Sequence, residues 1–479
     1  MIVSNKTDKG QQKPLPRRER RPEIIKFEKK KRKLLRKLNG VNLRVEFSNE
    51  STTSCGNFAL IETFKKSIGF QEIIKENLSI KKHWNSTYKA DTLVDFMTDS
   101  CILGKTRFEH MEGLNYDPGY KKIKGIEQFP SEGRFRDLMG RAEESHIKEL
   151  LEINRKIIEL KSRWEGIREV WLDHDDSVIT LFGNQTDGEV GYNPRYKGRP
   201  SYKAKVCFIA GSDELLNLDL YPGKTHSNGH FLDFHRSCEQ MLPSNYVLKG
   251  VRADKGFFDE ENIDYFEEKC LEYLVKMKMT ERLKRQILAL SEEQWQDLDN
   301  HYSVAEMEYL PSGWKFPRRV VLIREKMDKD TGQMYLPWNG FYKYQAIMTN
   351  QEQSPAQVWR SYNKRGNVEN KIDEIKDGFG VDENSQHGML ENRAFALIKA
   401  ISYNIVNWFK KVTMPENNYE VETVRRKVLC VPGNVVGSGW YRKIRLAANG
   451  QLERLVGIIK TNLDRFIGFV VNGFVPLQI

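Results

Sequence analysis

The sequence predicts an α/β fold: a mixed sheet flanked by helices, with an all-α N-terminal region before it and a β-rich insertion within it. Three observations carry this expectation. From about residue 41 to 165, apolar residues recur every three or four positions, as in NFALIETFKKSIGFQEIIKENL and HIKELLEINRKIIELKSRW. That is the period of amphipathic helices. At 166 the texture turns β-rich, and EVWLDHDDSVITLFG, AKVCFIAGS and ELLNLDLYPG read as an antiparallel meander. Helix, strand, helix and strand patterns follow, which makes the sheet mixed and covers its faces. In residues 281–350, HYSVAEMEYL, RRVVLIREKM and GFYKYQAIMT read as further strands split by Pro/Gly turns.

The elements follow in order. Residues 1–40 form a basic arm, with fifteen Lys/Arg against four Asp/Glu, hence +11, which is also the net charge of all 479 residues. Such a segment can lie along phosphates with steep salt dependence; a solvated tail or a membrane-surface arm has the same composition. Residues 41–165 are helical, and 166–280 hold the first part of the sheet domain. After the meander come GHFLDFHRSCEQML (helix), NYVLKGVRAD (strand), DEENIDYFEEKCL (helix) and EYLVKMKM (strand). Residues 281–350 are the insertion. Residues 351–415 return to the sheet domain with two helices. Ser354-Pro355-Ala356-Gln357 opens the first, with Ser as N-cap, Pro at the first helical position and Gln closing a capping box. ENRAFALIKAISYNIVNWFKK is the second. Residues 416–479 are a C-terminal extension of short strands and basic patches such as VRRKVLC and GWYRKIRL.

No signal-peptide pattern opens the chain, because its first forty residues lack an apolar core. The longest apolar run, FIGFVVNGFVPLQI, is too short and broken to span a bilayer, and reads as a final strand or packed tail. The six cysteines are scattered without a C-x-x-C pair, which argues against a zinc knuckle or disulfide framework and fits a reducing cytosol.

The stretch YNKRGNVENKIDEIK carries the chemistry. On one helix, Tyr362, Arg365, Glu369 and Lys376 fall at roughly 0°, 300°, 340° and 320°, a sixth of the circumference. Val368, Ile372 and Ile375 form an adjoining apolar stripe that can bury. Gly366 within this helix costs about 1 kcal/mol relative to Ala. Partner carboxylates stand on strands. Period-two alternation puts Asp173 and Asp175 on one face of the first strand and Asp176 on the other. Asp254 ends the strand NYVLKGVRAD. Two Asp on strands and a Glu on a packed helix can converge on a pair of Mg²⁺ ions for phosphoryl transfer. Arg and Lys beside the Glu could hold nucleic-acid phosphates, and Tyr could pack on a sugar or base. The same helix face also suits ordinary surface Glu–Lys and Glu–Arg pairs.

These residues resemble the DDE transposases of bacterial insertion sequences, and specifically the subgroup whose catalytic helix carries Tyr, two residues, Arg, three, Glu, six, Lys. Tyr362, Arg365, Glu369 and Lys376 match that signature at every spacing. LDHDDSVITLFGNQ with GYNPRYKGRPSY, YPGKTHSNGHFLDF and VRADKGFFDEENIDYFEE resemble the family's core segments, and the likeness covers roughly residues 90 to 445. It implies an RNase H-like sheet with a β-rich insertion before the Glu helix, and a helical N-terminal region that binds DNA ends. It implies Mg²⁺-dependent cutting at terminal inverted repeats and joining of the 3′-hydroxyl to target DNA, with Mn²⁺ able to substitute. Carried over by position, Asp175, Asp254 and Glu369 hold the metals. Asp173 is the second candidate for the first acid, and Asp176 stands where the family usually has a small residue. Arg365 and Lys376 would hold a phosphate and Tyr362 would pack on the same DNA.

Weaker features complete the reading. The loop with Tyr192, Arg195, Tyr196, Lys197, Arg199, Tyr202 and Lys203 interleaves aromatics and cations, which suits DNA or an ordinary polar hairpin. Trp314 and Trp338 lie in the insertion, where related enzymes receive a flipped base, although core packing is the simpler role. His226, Ser227 and His230 lack cysteine partners for a zinc site. The expected partner is double-stranded DNA, both transposon ends and target, bound by a homodimer in the cytoplasm at the nucleoid, with no membrane role. A metal-dependent nuclease without strand transfer and a catalytically silent DNA-binding relative are the rival readings.

Overall fold

The longest strand, around which the sheet is assembled, carries Asp173 and Asp175 on one face and Leu172, His174 and Asp176 on the other. The computed structural model describes residues 17–37, 50–327, 342–384, 386–437 and 441–473. Two units are distinguished, Met1–Glu50 and Ser51–Ile479. In the first, the basic segment forms helix α1 (Arg17–Lys37), as its content of Arg, Lys, Glu and Leu favours.

In the second unit, a two-residue strand, β1 (Thr52–Thr53), precedes a helical array. The helices are α2 (Phe58–Ser67), α3 (Phe70–Asn77), α4 (Ala90–Ile102), α5 (Phe108–Met111), α6 (Pro118–Lys124), α7 (Glu132–Met139) and α8 (Glu144–Glu165). The sheet follows: β2 (Arg168–Thr180), β3 (Glu189–Val190), β4 (Pro200–Ile209), β5 (Leu215–Pro222), α9 (Phe231–Met241), β6 (Tyr246–Ala253), α10 (Glu260–Glu268) and β7 (Glu272–Lys276). β2, β4 and β5 are antiparallel, while β6 and β7 run parallel to β2. The order β5-β4-β2-β6-β7 is the RNase H-like arrangement that the resemblance implied.

The insertion comprises α11 (Glu281–Leu288), β8 (Gln296–Asp297), β9 (Tyr302–Tyr309), β10 (Arg318–Lys326) and β11 (Tyr342–Thr349). Its strands extend the same sheet, because β11 pairs antiparallel with β7 and the order continues β11-β10-β9-β8. The chain then returns across the sheet through α12 (Pro355–Asn363) and α13 (Gly366–Asp373), followed by α14 (Met389–Thr413). The capping box of Ser354 and Gln357 is formed at the start of α12. α14 is buried along most of its length and joins the helical array to the sheet. Trp408 meets Phe64 and Phe466 edge-on, and Asn404 accepts from Leu215 N and donates to Leu215 O and to Asn154 Oδ1. The remaining elements are α15 (Val421–Val424), β12 (Gly433–Val436), β13 (Lys443–Leu446) and α16 (Gly450–Val471), and β12 joins β1 to β13 in a small sheet.

Two expectations are corrected. FIGFVV is neither strand nor tail but the end of α16, because Ile459, Leu463 and Phe466 recur at helical spacing and bury together; residues 474–479 lie outside the described residues. The helix expected over 362–376 is interrupted. α12 stops at Asn363, α13 starts at Gly366, and Glu374–Gly378 widens into a π turn. At the break, Arg365 N donates to Tyr362 O and Val368 N to Arg365 O, three residues back rather than four. Gly366 supplies no side chain to stiffen this joint. A Cβ built there meets nothing within 4 Å, and its φ is not in the left-handed region. Gly366→Ala is therefore expected to raise stability by about 0.4–1 kcal/mol, read as an upward shift of the urea midpoint. A downward shift would mean that the break is required.

Candidate active site

Parallel pairing of β2 with β6 sets Asp173 opposite Arg252 and His174 opposite Ala253. The next residues along the chain are Asp175, still within β2, and Asp254, just past the end of β6, so two carboxylates follow directly on the last paired residues. The pleat divides β2. Asp173 and Asp175 face the α12–α13 side, while His174 faces α9, where its ring meets Phe231.

Asp173 is fully engaged. Arg252 Nε lies 2.5 Å from its Oδ1 and Nη2 2.8 Å from its Oδ2, while Nη1 donates to Ser361 O at 2.8 Å. Both Asp173 oxygens are thus taken up by this bidentate pair. Asp175 Oδ1 accepts from Asp176 N, and Oδ2 lies 2.8 Å from Arg365 Nη2. Burial pushes the Asp175 carboxyl from an ordinary 3.8 up to about 6; Arg365 opposes this, and Asp176 and Asp254 add to it. Asp176 lies on the other face, 3.3 Å from Lys203 Nζ.

Glu369 is exposed on α13, where the apolar side chains of Val368 and Ile372 anchor the helix. Tyr362 lies within the electrostatic field of all three acids. Its hydroxyl is held above its ordinary pKa, chiefly by burial, with Arg365 opposing and Asp254, Asp175 and Glu369 each adding. Beside them opens a cleft of about 2140 Å³ that both Asp176 and Asp254 line. Cations on its walls include Arg107, Arg195, Lys255, Lys278 and Lys376, with Tyr192 and Tyr196 from the loop after β3. That loop is braced by Asn193, which donates to Thr180 Oγ1 and accepts from Tyr196 N. Lys197 and Arg199 are exposed on it, and Arg199 lies over the Phe182 ring.

Two of the expected DNA contacts are corrected. Tyr362 is only 6% exposed and packs with Leu274, Val304 and Val358, so its ring is core rather than a surface for DNA. Arg365, equally buried, is spent on Asp175 and on His174 O instead of standing open to a phosphate. Trp314 stacks on Phe258, in keeping with packing, and Trp338 lies outside the described residues. His226 and Ser227 offer backbone carbonyls to Lys205, and His230 stacks on Tyr221. Arg252 was missed by sequence reasoning. Its signal is its place two residues before Asp254, on the same face of β6, but its partner appears only once β2 and β6 are paired.

The donor set suits a hard divalent cation. Asp175, Asp254 and Glu369 offer oxygen alone, and Asp175 stays short of positive charge even with Arg365 beside it. The sign of the pH effect follows. Folding raises the pKa of Asp175, so this group adds stability below about pH 4 that is lost as pH rises through about 6. The loss is about 3 kcal/mol. Urea unfolding in chelator at several pH values is expected to show the gap between wild type and Asp175→Asn moving by that amount across the window. A pH-independent gap would overturn the burial argument.

No curated protein matches the chain. Among solved structures, a piggyBac transposase synaptic complex with hairpin DNA is similar over 90% of this chain and 89% of that one, at 12% identity and a TM-score of 0.39. The family model described as transposase DDE domain group 1 matches residues 35–466. That span takes in both carboxylate-bearing strands, the insertion and the helix of Glu369, and the chain belongs to the transposase DDE domain group 1 family.

Proposed function

We propose that this chain is the transposase of a bacterial insertion sequence of the Tyr-Arg-Glu-Lys subgroup. It cuts the element's ends at terminal inverted repeats and joins the freed 3′-hydroxyl to target DNA by two-metal phosphoryl transfer. One observation carries the reading: Asp175 and Asp254 follow directly on the His174–Ala253 pair of two adjacent parallel strands, and Glu369 stands on α13, which packs against β2.

Each residue has a part. Asp175, Asp254 and Glu369 hold Mg²⁺, or Mn²⁺ in its place. When bound, the cation supplies Lewis-acid stabilisation of the charge that builds on the scissile phosphate. Arg365 orients Asp175, and Arg252 keeps α12 seated on the sheet through Ser361 O. Lys376 on the cleft wall takes a DNA phosphate as a point charge. Arg195, Lys197 and Arg199 take the backbone further out, and Tyr192 and Tyr196 offer stacking faces. The basic helix α1 adds sequence-independent affinity for double-stranded DNA. Two ends must be paired before joining, so the DNA-bound form is a homodimer, working at the nucleoid. Among the described residues, no helix is long and apolar enough to cross a membrane.

The test uses purified chain, Mg²⁺ and linear DNA carrying the gene's own flanks, with Glu369→Gln beside wild type. Wild type is expected to cut at a defined repeat and yield joined products. The variant should lose more than the about 10–100-fold that removal of an outer-sphere partner costs. Cutting without joining would leave a nuclease, binding without cutting by either protein a silent relative, and cutting by both would show that Glu369 is not the third carboxylate.

A further inference from the structure

Behind the carboxylates, on the opposite face of β2, four further donor residues converge that the proposed reaction does not use. His174 stands between Asp173 and Asp175, and the pleat turns it toward α9. Its direct partner across the antiparallel β2–β4 pair is Cys207. His235 and Cys238, three residues apart on α9, share a helix face and approach the same place. All four side chains are 0% exposed. Ligand atoms of His174, Cys207 and Cys238 lie within 4.8 Å of one another. His174 Nε2 is 3.9 Å from Cys207 Sγ and 3.0 Å from His235 Nδ1.

We propose that His174, Cys207 and Cys238 bind a structural zinc-class divalent cation, with His235 completing a tetrahedral set.

Donor type and spacing support the assignment. Two sulfurs and two imidazole nitrogens are the set that tetrahedral zinc takes. Bonds of about 2.0 Å to nitrogen and about 2.3 Å to sulfur put tetrahedral neighbours roughly 3.3–3.8 Å apart. The two distances from His174 Nε2, 3.0 and 3.9 Å, bracket that range.

The surroundings point the same way. Phe231 and Phe234 pack edge-on against the His174 ring, 5.0 and 6.0 Å between centroids, so the cluster is dry. The two ring nitrogens that would ligate, His174 Nε2 and His235 Nδ1, face each other and share one buried hydrogen bond at 3.0 Å. His235 Nε2 faces Glu239 Oε1 at 3.6 Å. A ligating imidazole characteristically gives its other N–H to such a carboxylate. The cation would bind where β2, β4 and α9 meet, fixing from behind the strand that presents Asp175. Each thiol releases its proton to solvent as it coordinates.

The test is metal content of the full chain, purified without a polyhistidine tag from zinc-supplemented cells and dialysed against a mild chelator. Wild type is expected to retain about one zinc per chain. Cys207→Ser and Cys238→Ser should lose it about tenfold or more, while Cys55→Ser, remote from the cluster, should keep it. Should the variants fail to fold, wild-type chain produced in cobalt with zinc withheld decides alone. A thiolate-to-cobalt charge-transfer band is expected, and a cobalt-exposed chain without one overturns the site. Wild type free of zinc, or zinc unchanged in Cys207→Ser, would overturn it equally.

Discussion

The Arg252 guanidinium joins three elements that are far apart in the chain. Through Nε and Nη2 it grips Asp173 on β2, it projects from β6, and through Nη1 it holds Ser361 O on α12. Paired charges inside a protein seldom add much net stability, because desolvation offsets their attraction. Their value here is geometric. A planar fork against a carboxylate tolerates little misalignment, so the relative position of β2 and β6 and the seat of the Glu369-bearing segment answer to one side chain. That pair sits two residues before Asp175 on β2 and, along the chain from β6, two before Asp254.

Around this clamp the site departs from what stability alone would choose. Burial pushes the Asp175 carboxyl up to about 6, although Arg365 and the Asp176 N–H both favour its charged form. A joint at Gly366 and a π turn at Glu374–Gly378 break the helix that carries the third acid. Uncompensated charge and irregular backbone cluster where chemistry needs them, at a cost carried by the rest of the fold. α14, with Trp408 and Asn404 locking helices to sheet, is the kind of rigid support that tolerates such a site.

How much of this was legible depends on the range of the interaction. The meander, the alternating helices and strands of the core and the capping box at Ser354 are local patterns, and each stands where its period or cap chemistry put it. The break at Gly366 was visible as a weak propensity, yet its consequence was not. Tyr362 shows the limit most plainly. On a helical wheel it shares an edge with Glu369, but the sheet extension from β7 into β11 and β10 walls it in. The insertion's strands were legible, whereas their fusion to the core sheet depends on which strand β11 pairs with. His174, Cys207, His235 and Cys238 gave no signal at all. They are spread over sixty-five positions, and only the β2–β4 register and the approach of α9 make them neighbours.

β2 thus carries two chemistries on two faces. Asp173 and Asp175 look toward the guanidinium groups of Arg252 and Arg365, whereas His174 looks into a buried pocket of sulfur, imidazole and phenyl rings. In a strand the separation is enforced by period two alone. A slip of one residue would turn His174 toward the two arginines and drive two aspartates into the apolar pocket, where a bare carboxylate costs several kcal/mol. The Asp173–Arg252 pair penalises that slip from one face, and the His174–Cys207 juxtaposition penalises it from the other. Since Asp175 is useful only when it faces Asp254, the register of this one strand is the condition on which the candidate site depends, and the sequence DHDD holds it from both sides.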